Sequence, residues 1–198
     1  KAARGAGFSW GMAEEAGRAA RWLAAVGLPG PEALADLLET TDDVAHGTLC
    51  PMDPNAEDWQ ASGGVLCPIA AGTALADTAD MLGDAKTLHS VIQPLLLVPF
   101  VATVSDTTGR ALNLAWMGAT FHFASDLRGA VTSQSARTDT VILSGDTAAD
   151  LPPLACQLRY DLCPDVAARL TLLAQRTYAP ETEASRLGGA GAGLSDND

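Results

Sequence analysis

The chain has 198 residues, 47% of them hydrophobic, with 12 Lys+Arg against 24 Asp+Glu and a formal net charge of -12. That length suits one domain and can bury roughly 70% of its unfolded surface, so a core is expected without disulfides or a structural metal. A scattered set of two Lys and ten Arg gives nucleic acid and anionic membranes no electrostatic footing, and the longest apolar stretch, Pro94 to Val104, is 11 residues against the ~20 needed to cross a bilayer.

In chain order, Ser9 can cap a helix running to about Val26, with Met12, Ala16, Ala19, Ala20, Leu23 and Val26 on one face. Glu14 stands four residues before Arg18 as an exposed pair. Gly27 stops this helix, and Pro31 opens a second one through Leu38. Residues Thr41 to Gly64 carry Gly47, Pro51, Pro54, Gly63 and Gly64 with little periodicity, which predicts a long irregular connection. Such loops are usually functional or disordered, and Leu49, Met52 and Trp59 argue against disorder, so this is the first candidate for a site-forming loop.

Val65 to Ala71 reads as a short strand and Thr73 to Leu82 as a short helix or turn-rich segment. Leu88 to Val104 and Ala111 to Phe123 read as extended apolar runs joined by a hairpin at Asp106-Thr107-Thr108-Gly109. Pro94 and Pro99 cannot donate to a ladder, which puts the first of these at an edge or a bulge. Ala130 to Thr132, Thr140 to Leu143 and Leu154 to Tyr160 offer further strands. Pro164 opens a helix to Tyr178 with Val166, Leu170 and Leu173 inward. The expected fold is α+β, an antiparallel sheet with helices from both chain ends packed on it. Residues 1–180 form a single domain and residues 181–198 a Gly-rich polar tail.

The charge is unevenly placed. From Trp22 to Ala85 there is no Lys or Arg, while eleven acids from Glu32 to Asp84 give -11. This is either a solvated face or a docking surface for a basic partner or a cation. Four cysteines without close pairing fit a reducing compartment, hence the cytoplasm. The chain opens at Lys1 without Met, so the native amino terminus is expected to lie upstream.

Three cysteines share one tripeptide: Leu49-Cys50-Pro51, Leu66-Cys67-Pro68 and Leu162-Cys163-Pro164. Cys-Pro dipeptides resemble those of haem-regulated proteins, and His46 lies four residues before Cys50; the alternative is that Cys is a small buried hydrophobe and Pro marks the ends of elements. No CxxC spacing typical of zinc and no calcium loop is present, so no metal is assigned and the cofactor stays unknown.

His46, His89 and His122 are the candidate proton carriers. With a two-residue hairpin turn, His89 and His122 share a sheet face about 13 Å apart; with a bulged three-residue turn they part to opposite faces. Arg186 is a candidate anchor for an anionic group, and Trp59 and Asp196 are candidate ligand contacts. The Gly189-x-Gly191-x-Gly193 string follows a helix rather than a strand, so it reads as a tail, or as a lid on a neighbouring subunit, and not as a nucleotide loop.

Residues Ala2 to Gly17, ARGAGFSWGMAEEAG after the first alanine, and the ending from Arg176-Thr177-Tyr178-Ala179-Pro180 to Asp198 resemble the two ends of a bacterial family, domain of unknown function 3726. The resemblance spans nearly the whole chain and implies no activity, cofactor or catalytic residue. The leading reading is a small-molecule metabolic enzyme or ligand-binding protein using acid–base chemistry, with the 41–64 loop and the tail around its pocket. The alternative is a non-catalytic partner or assembly protein, or homo-oligomer, docking through its acidic segment and tail. Neither reading involves nucleic acid or a membrane.

Overall fold

Ser9 Oγ accepts the Met12 backbone N–H at 3.4 Å, so the first long helix starts where its cap is written. A computed structural model describes residues 1–145 and 150–178. It contains helices α1 (Ala2–Gly5), α2 (Trp10–Ala25), α3 (Gly30–Thr40), α4 (Pro68–Asp77), α5 (Val98–Thr108) and α6 (Pro164–Gln175). Strands β1 (Asp58–Trp59), β2 (Ala85–Ile92), β3 (Leu112–Trp116), β4 (Ala119–Phe123), β5 (Leu127–Val131) and β6 (Arg137–Gly145) form one sheet in the order β1-β2-β6-β3-β4-β5. Every pairing is antiparallel except β1 with β2, and the class is α+β. The Gly-rich ending, with Arg186 and Asp196, lies outside the described residues.

The segment from Pro94 to Thr108 corrects the strand reading. A 3-10 turn at Pro94–Leu97 runs into α5, and the two prolines sit in the first turns, where their missing N–H costs nothing. Gly109 ends α5 with φ 65°, a left-handed cap, so residues 106–109 are a helix terminus and no hairpin. An unbroken apolar run has the same appearance in a buried strand and a buried helix, which is how the misreading arises. The hairpin instead lies inside the second run, where Met117-Gly118 joins β3 to β4 through the Trp116–Ala119 pair. Either register expected for a 106–109 hairpin is therefore void.

Other boundaries also moved. The expected strand at 65–71 is a single bridge at Leu66 followed by α4, whose N-cap is Cys67 and first residue Pro68. No strand forms at 154–160; residues 151–154 instead cover the outer edge of β5, with Gly129 N–H donating to Pro152 O and Leu154 N–H to Leu127 O, both at 3.0 Å. That edge is thus blunted by a segment holding Pro152 and Pro153. The 41–64 connection is folded rather than loose: it contains a 3-10 turn at His46–Leu49 and β1, and it buries Trp59.

Packing follows from α5. It lies against β3 and β4 on one side and against α2 and α4 on the other, and Val98, Val101 and Val104 are essentially inaccessible. Leu114, Phe121, Val141 and Leu143 form the sheet's contribution to this core. The acidic segment has an internal purpose. Tyr160 OH donates to Glu32 at 2.7 Å, Arg169 to Asp36 at 2.6 Å and to Glu39 at 2.7 Å, and Arg176 to Asp42 at 2.7 Å. Acids spaced along α3 and just beyond it therefore hold the incoming chain and α6. The Arg169 hydrogen bond keeps Glu39 below the usual carboxylate range.

Two outcomes follow from this clamp. A Cβ on Gly5 would stand 1.7 Å from Leu173 O of α6, so Gly5→Ala should cost about 1–3 kcal/mol in urea unfolding by forcing α1 and α6 apart. Arg169→Ala should cost only about 1 kcal/mol, since the pairs are partly solvated, yet it should raise amide exchange selectively in α6, as should high salt.

Candidate functional site

The largest hollow with an aromatic lining lies among three helices. Glu15, Arg18, Ala19 and Trp22 recur along one stripe of α2, Thr73, Ala76 and Asp77 along α4, and Pro99, Phe100 and Thr103 along α5. Together they line a groove of about 460 Å³, within the range of small-molecule sites. Trp22 is half-buried and Phe100 is buried, so Trp22 supplies most of the open ring surface and Phe100 the packed aromatic lining beside it.

The polar groups on its walls are mostly acceptors. Thr73 Oγ1 donates to Ile69 O at 2.8 Å and Thr103 Oγ1 to Pro99 O at 3.0 Å. Thr103 thereby gives its only proton to the preceding helical turn, Thr73 shares its proton between Ile69 O and Met12 Sδ at 3.6 Å, and each hydroxyl oxygen keeps its capacity to accept. Arg18 is engaged by Glu15 at 2.9 Å and Glu14 at 3.9 Å. With Glu15 and Asp77 against Arg18, the lining carries one net negative charge.

A second cleft, lined by Glu32, Asp36, Gln93, Trp116 and Ser133–Ser135, measures only about 40 Å³, room for roughly two or three waters. Its carboxylates are already taken by Tyr160, Arg169 and Gln93, the last donating to Asp36 at 3.4 Å. Size and prior engagement both favour the helical groove.

The histidines named from sequence do not converge. His46 stands in the 3-10 turn with its ring 5.0 Å from that of Phe8. His89 on β2 meets Asp58 at 3.3 Å, and His122 on β4 meets Asn113 at 2.9 Å. The registers place His89 and His122 three strands and four residues apart, roughly 20 Å, with β6 and β3 between them. Trp59 is 1% exposed, with Lys86 Nζ 4.4 Å over its ring, and it lines neither hollow. Lys86 also donates to Ala56 O, so the pair fastens the 53–59 stretch to β2, and burial lowers its pKa. Arg186 and Asp196 fall outside the described residues.

Of the Leu-Cys-Pro tripeptides, Cys67-Pro68 and Cys163-Pro164 are N-cap and first residue of α4 and α6, so proline marks element starts there. Among the described residues no group of three His, Cys, Asp or Glu is placed to hold a metal ion. None of the described helices is long and apolar enough to cross a membrane. The groove residues were missed because their stripe is legible only once α5 is known to be a helix. The available signal was Glu15 and Trp22, seven residues apart along α2 and beside the core residue Ala19.

Fold and site together define an α+β protein with a helix-lined, acceptor-rich groove. Residues 1–67 match the model of a family described as a protein of unknown function (DUF3726), which bears out the family resemblance at the amino-terminal end. That match covers α1, α2, α3 and the loop as far as Cys67, and the ending of the chain is not included in it. No curated protein and no solved structure matches the chain.

Burial against Phe8 lowers the pKa of His46. A base with a depressed folded pKa lends stability above its unfolded value near 6.5 and loses it as pH falls through the folded one. Urea unfolding of the protein against His46→Phe should therefore show the native chain losing ground to the variant between pH 7.5 and 5.5.

Proposed function

We propose that this protein binds a small apolar amine in the groove between α2, α4 and α5. The observation that carries this reading is the combination of aromatic floor and acceptor walls: Trp22 and Phe100 beneath, and Thr73, Thr103, Glu15 and Asp77 around. An apolar body gains about 25 cal/mol per Å² buried on such a floor, and an ammonium group meets the Asp77 carboxylate and ring faces that favour a cation, with Glu15 balanced by Arg18. A carboxylate ligand would instead face Asp77 and Glu15, with Arg18, the only cation among the described lining residues, already engaged.

This keeps the ligand-binding half of the expectation and sets acid–base catalysis by the histidines aside, because His46, His89 and His122 all stand outside the groove. The docking alternative loses support at α3 and just beyond it, where Glu32, Asp36, Glu39 and Asp42 are engaged by Tyr160, Arg169 and Arg176 of the same chain.

The test is thermal shift and titration calorimetry with arylalkylamines, the matching carboxylic acids and the matching alcohols. At 100 times its Kd, an amine should stabilise the protein by about 2.7 kcal/mol. Asp77→Asn, at an exposed position, should weaken amine binding several-fold and leave the unliganded melting temperature in place. Equal binding of acids and amines, or binding untouched in both Asp77→Asn and Trp22→Ala, would overturn the reading.

A further inference from the structure

Two of the Leu-Cys-Pro tripeptides, separated by fourteen residues of intervening chain, lie side by side in the fold. Cys67 N–H donates to Leu49 O at 2.9 Å, so the chain at 49–50 is stitched directly to the chain entering α4. On the other side Leu66 is fixed to β2, donating to Ser90 O at 3.0 Å and accepting from Ile92 N–H at 3.2 Å. By standard backbone geometry the hydrogen bond sets the Cα atoms of Cys50 and Cys67 roughly 5–6 Å apart. Disulfides span Cα separations of about 4.4–6.8 Å.

The surroundings give the two thiols different access. Cys50 is half-buried, and its Sγ donates to His46 O at 3.4 Å, while Cys67 is fully buried beneath it. Burial raises the pKa of both, pushing Cys67 up to about 11, with the charge on Cys50 adding to that rise. Cys67 therefore feels the charge of Cys50, and only Cys50 is open to a reagent from solvent.

We propose that Cys50 and Cys67 form a peroxide-sensitive dithiol that closes to a reversible intramolecular disulfide. The Cys50 thiolate attacks a peroxide oxygen, the O–O bond breaks, and the sulfur becomes a sulfenic acid while the departing hydroxide leaves as water with the thiol proton. Cys67 sulfur then attacks the Cys50 sulfur, the S–S bond forms, and the sulfenic hydroxyl leaves as water with the Cys67 proton. Two thiols lose two electrons in all, and hydrogen peroxide takes them up as two waters. Because both thiols are weak acids, closure is slow at neutral pH and speeds up as pH rises. This site is separate from the groove, and its fate does not depend on the amine reading.

The experiment uses the full chain carrying Cys156→Ser and Cys163→Ser, both exposed positions, with folding checked by circular dichroism. After treatment with hydrogen peroxide, unfolding and alkylation, the expected product is lighter by two hydrogen atoms and takes up no alkylating reagent. Peptide mapping should join Cys50 to Cys67, dithiothreitol should restore both thiols, and closure should run faster at pH 9 than at pH 7. Cys50→Ser in the same background should leave Cys67 reduced under the same treatment. Sulfinic acid at Cys50 with a free Cys67, a disulfide between two chains, or two alkylatable thiols throughout would overturn the proposal.

Discussion

Everything in this fold leans on one apolar helix buried from both sides. α5 separates the sheet from the helical layer, and Val98, Val101 and Val104 have no access to water. A helix in that position needs apolar residues around most of its circumference, which is why its segment lacks the amphipathic stripe of a surface helix. Its first turns tolerate Pro94 and Pro99, and its end is set by Gly109 in the left-handed conformation. Because α5 is also a wall of the groove, the same helix that supports β3 and β4 presents Phe100 and Thr103 beside α2 and α4.

The second constraint is electrostatic and closes the chain on itself. A net charge of -12 would strain a compact domain if its acids all stood in water together. Along α3 and just beyond it they do not: Glu32, Asp36, Glu39 and Asp42 are spent on Tyr160, Arg169 and Arg176, which tie the later chain to the first third. Individually such pairs contribute little, but they choose where α6 lies, and close approach at Gly5 makes that choice tight. Several acids of the cation-free stretch thus belong to an intramolecular contact whose cations are supplied much later in the chain.

How much of this could be read in advance depends on the kind of signal. Where a periodic stripe and a cap coincide, as at Ser9 and Ala16 to Leu23, the helix and its buried face were legible. Where the run is almost wholly apolar, from Pro94 to Val104, strand and helix cannot be told apart, and the turn residues Asp106 to Gly109 read equally as a hairpin or a helix end. The histidines are candidates by their chemistry alone, and nothing in their spacing reveals that β6 and β3 stand between His89 and His122. Trp59 drew notice as an aromatic in an irregular loop, whereas its burial beneath Lys86 depends on a parallel pairing between β1 and β2 that sequence does not encode locally.

By itself, then, the sequence determined the class of fold, the helices at Ser9, Pro31 and Pro164, the absence of an apolar span long enough for a membrane, and the family resemblance at the amino-terminal end. These are local properties: caps, periodicities, run lengths and composition act over a few residues and do not need the rest of the chain. Only tertiary structure decided that Leu49 and Cys67 meet, that α6 answers the acids of α3, and that Trp22, Thr73 and Phe100 share one hollow. Those are contacts between residues far apart in sequence, and they exist because burying α5 leaves few ways to arrange the remaining apolar faces around it.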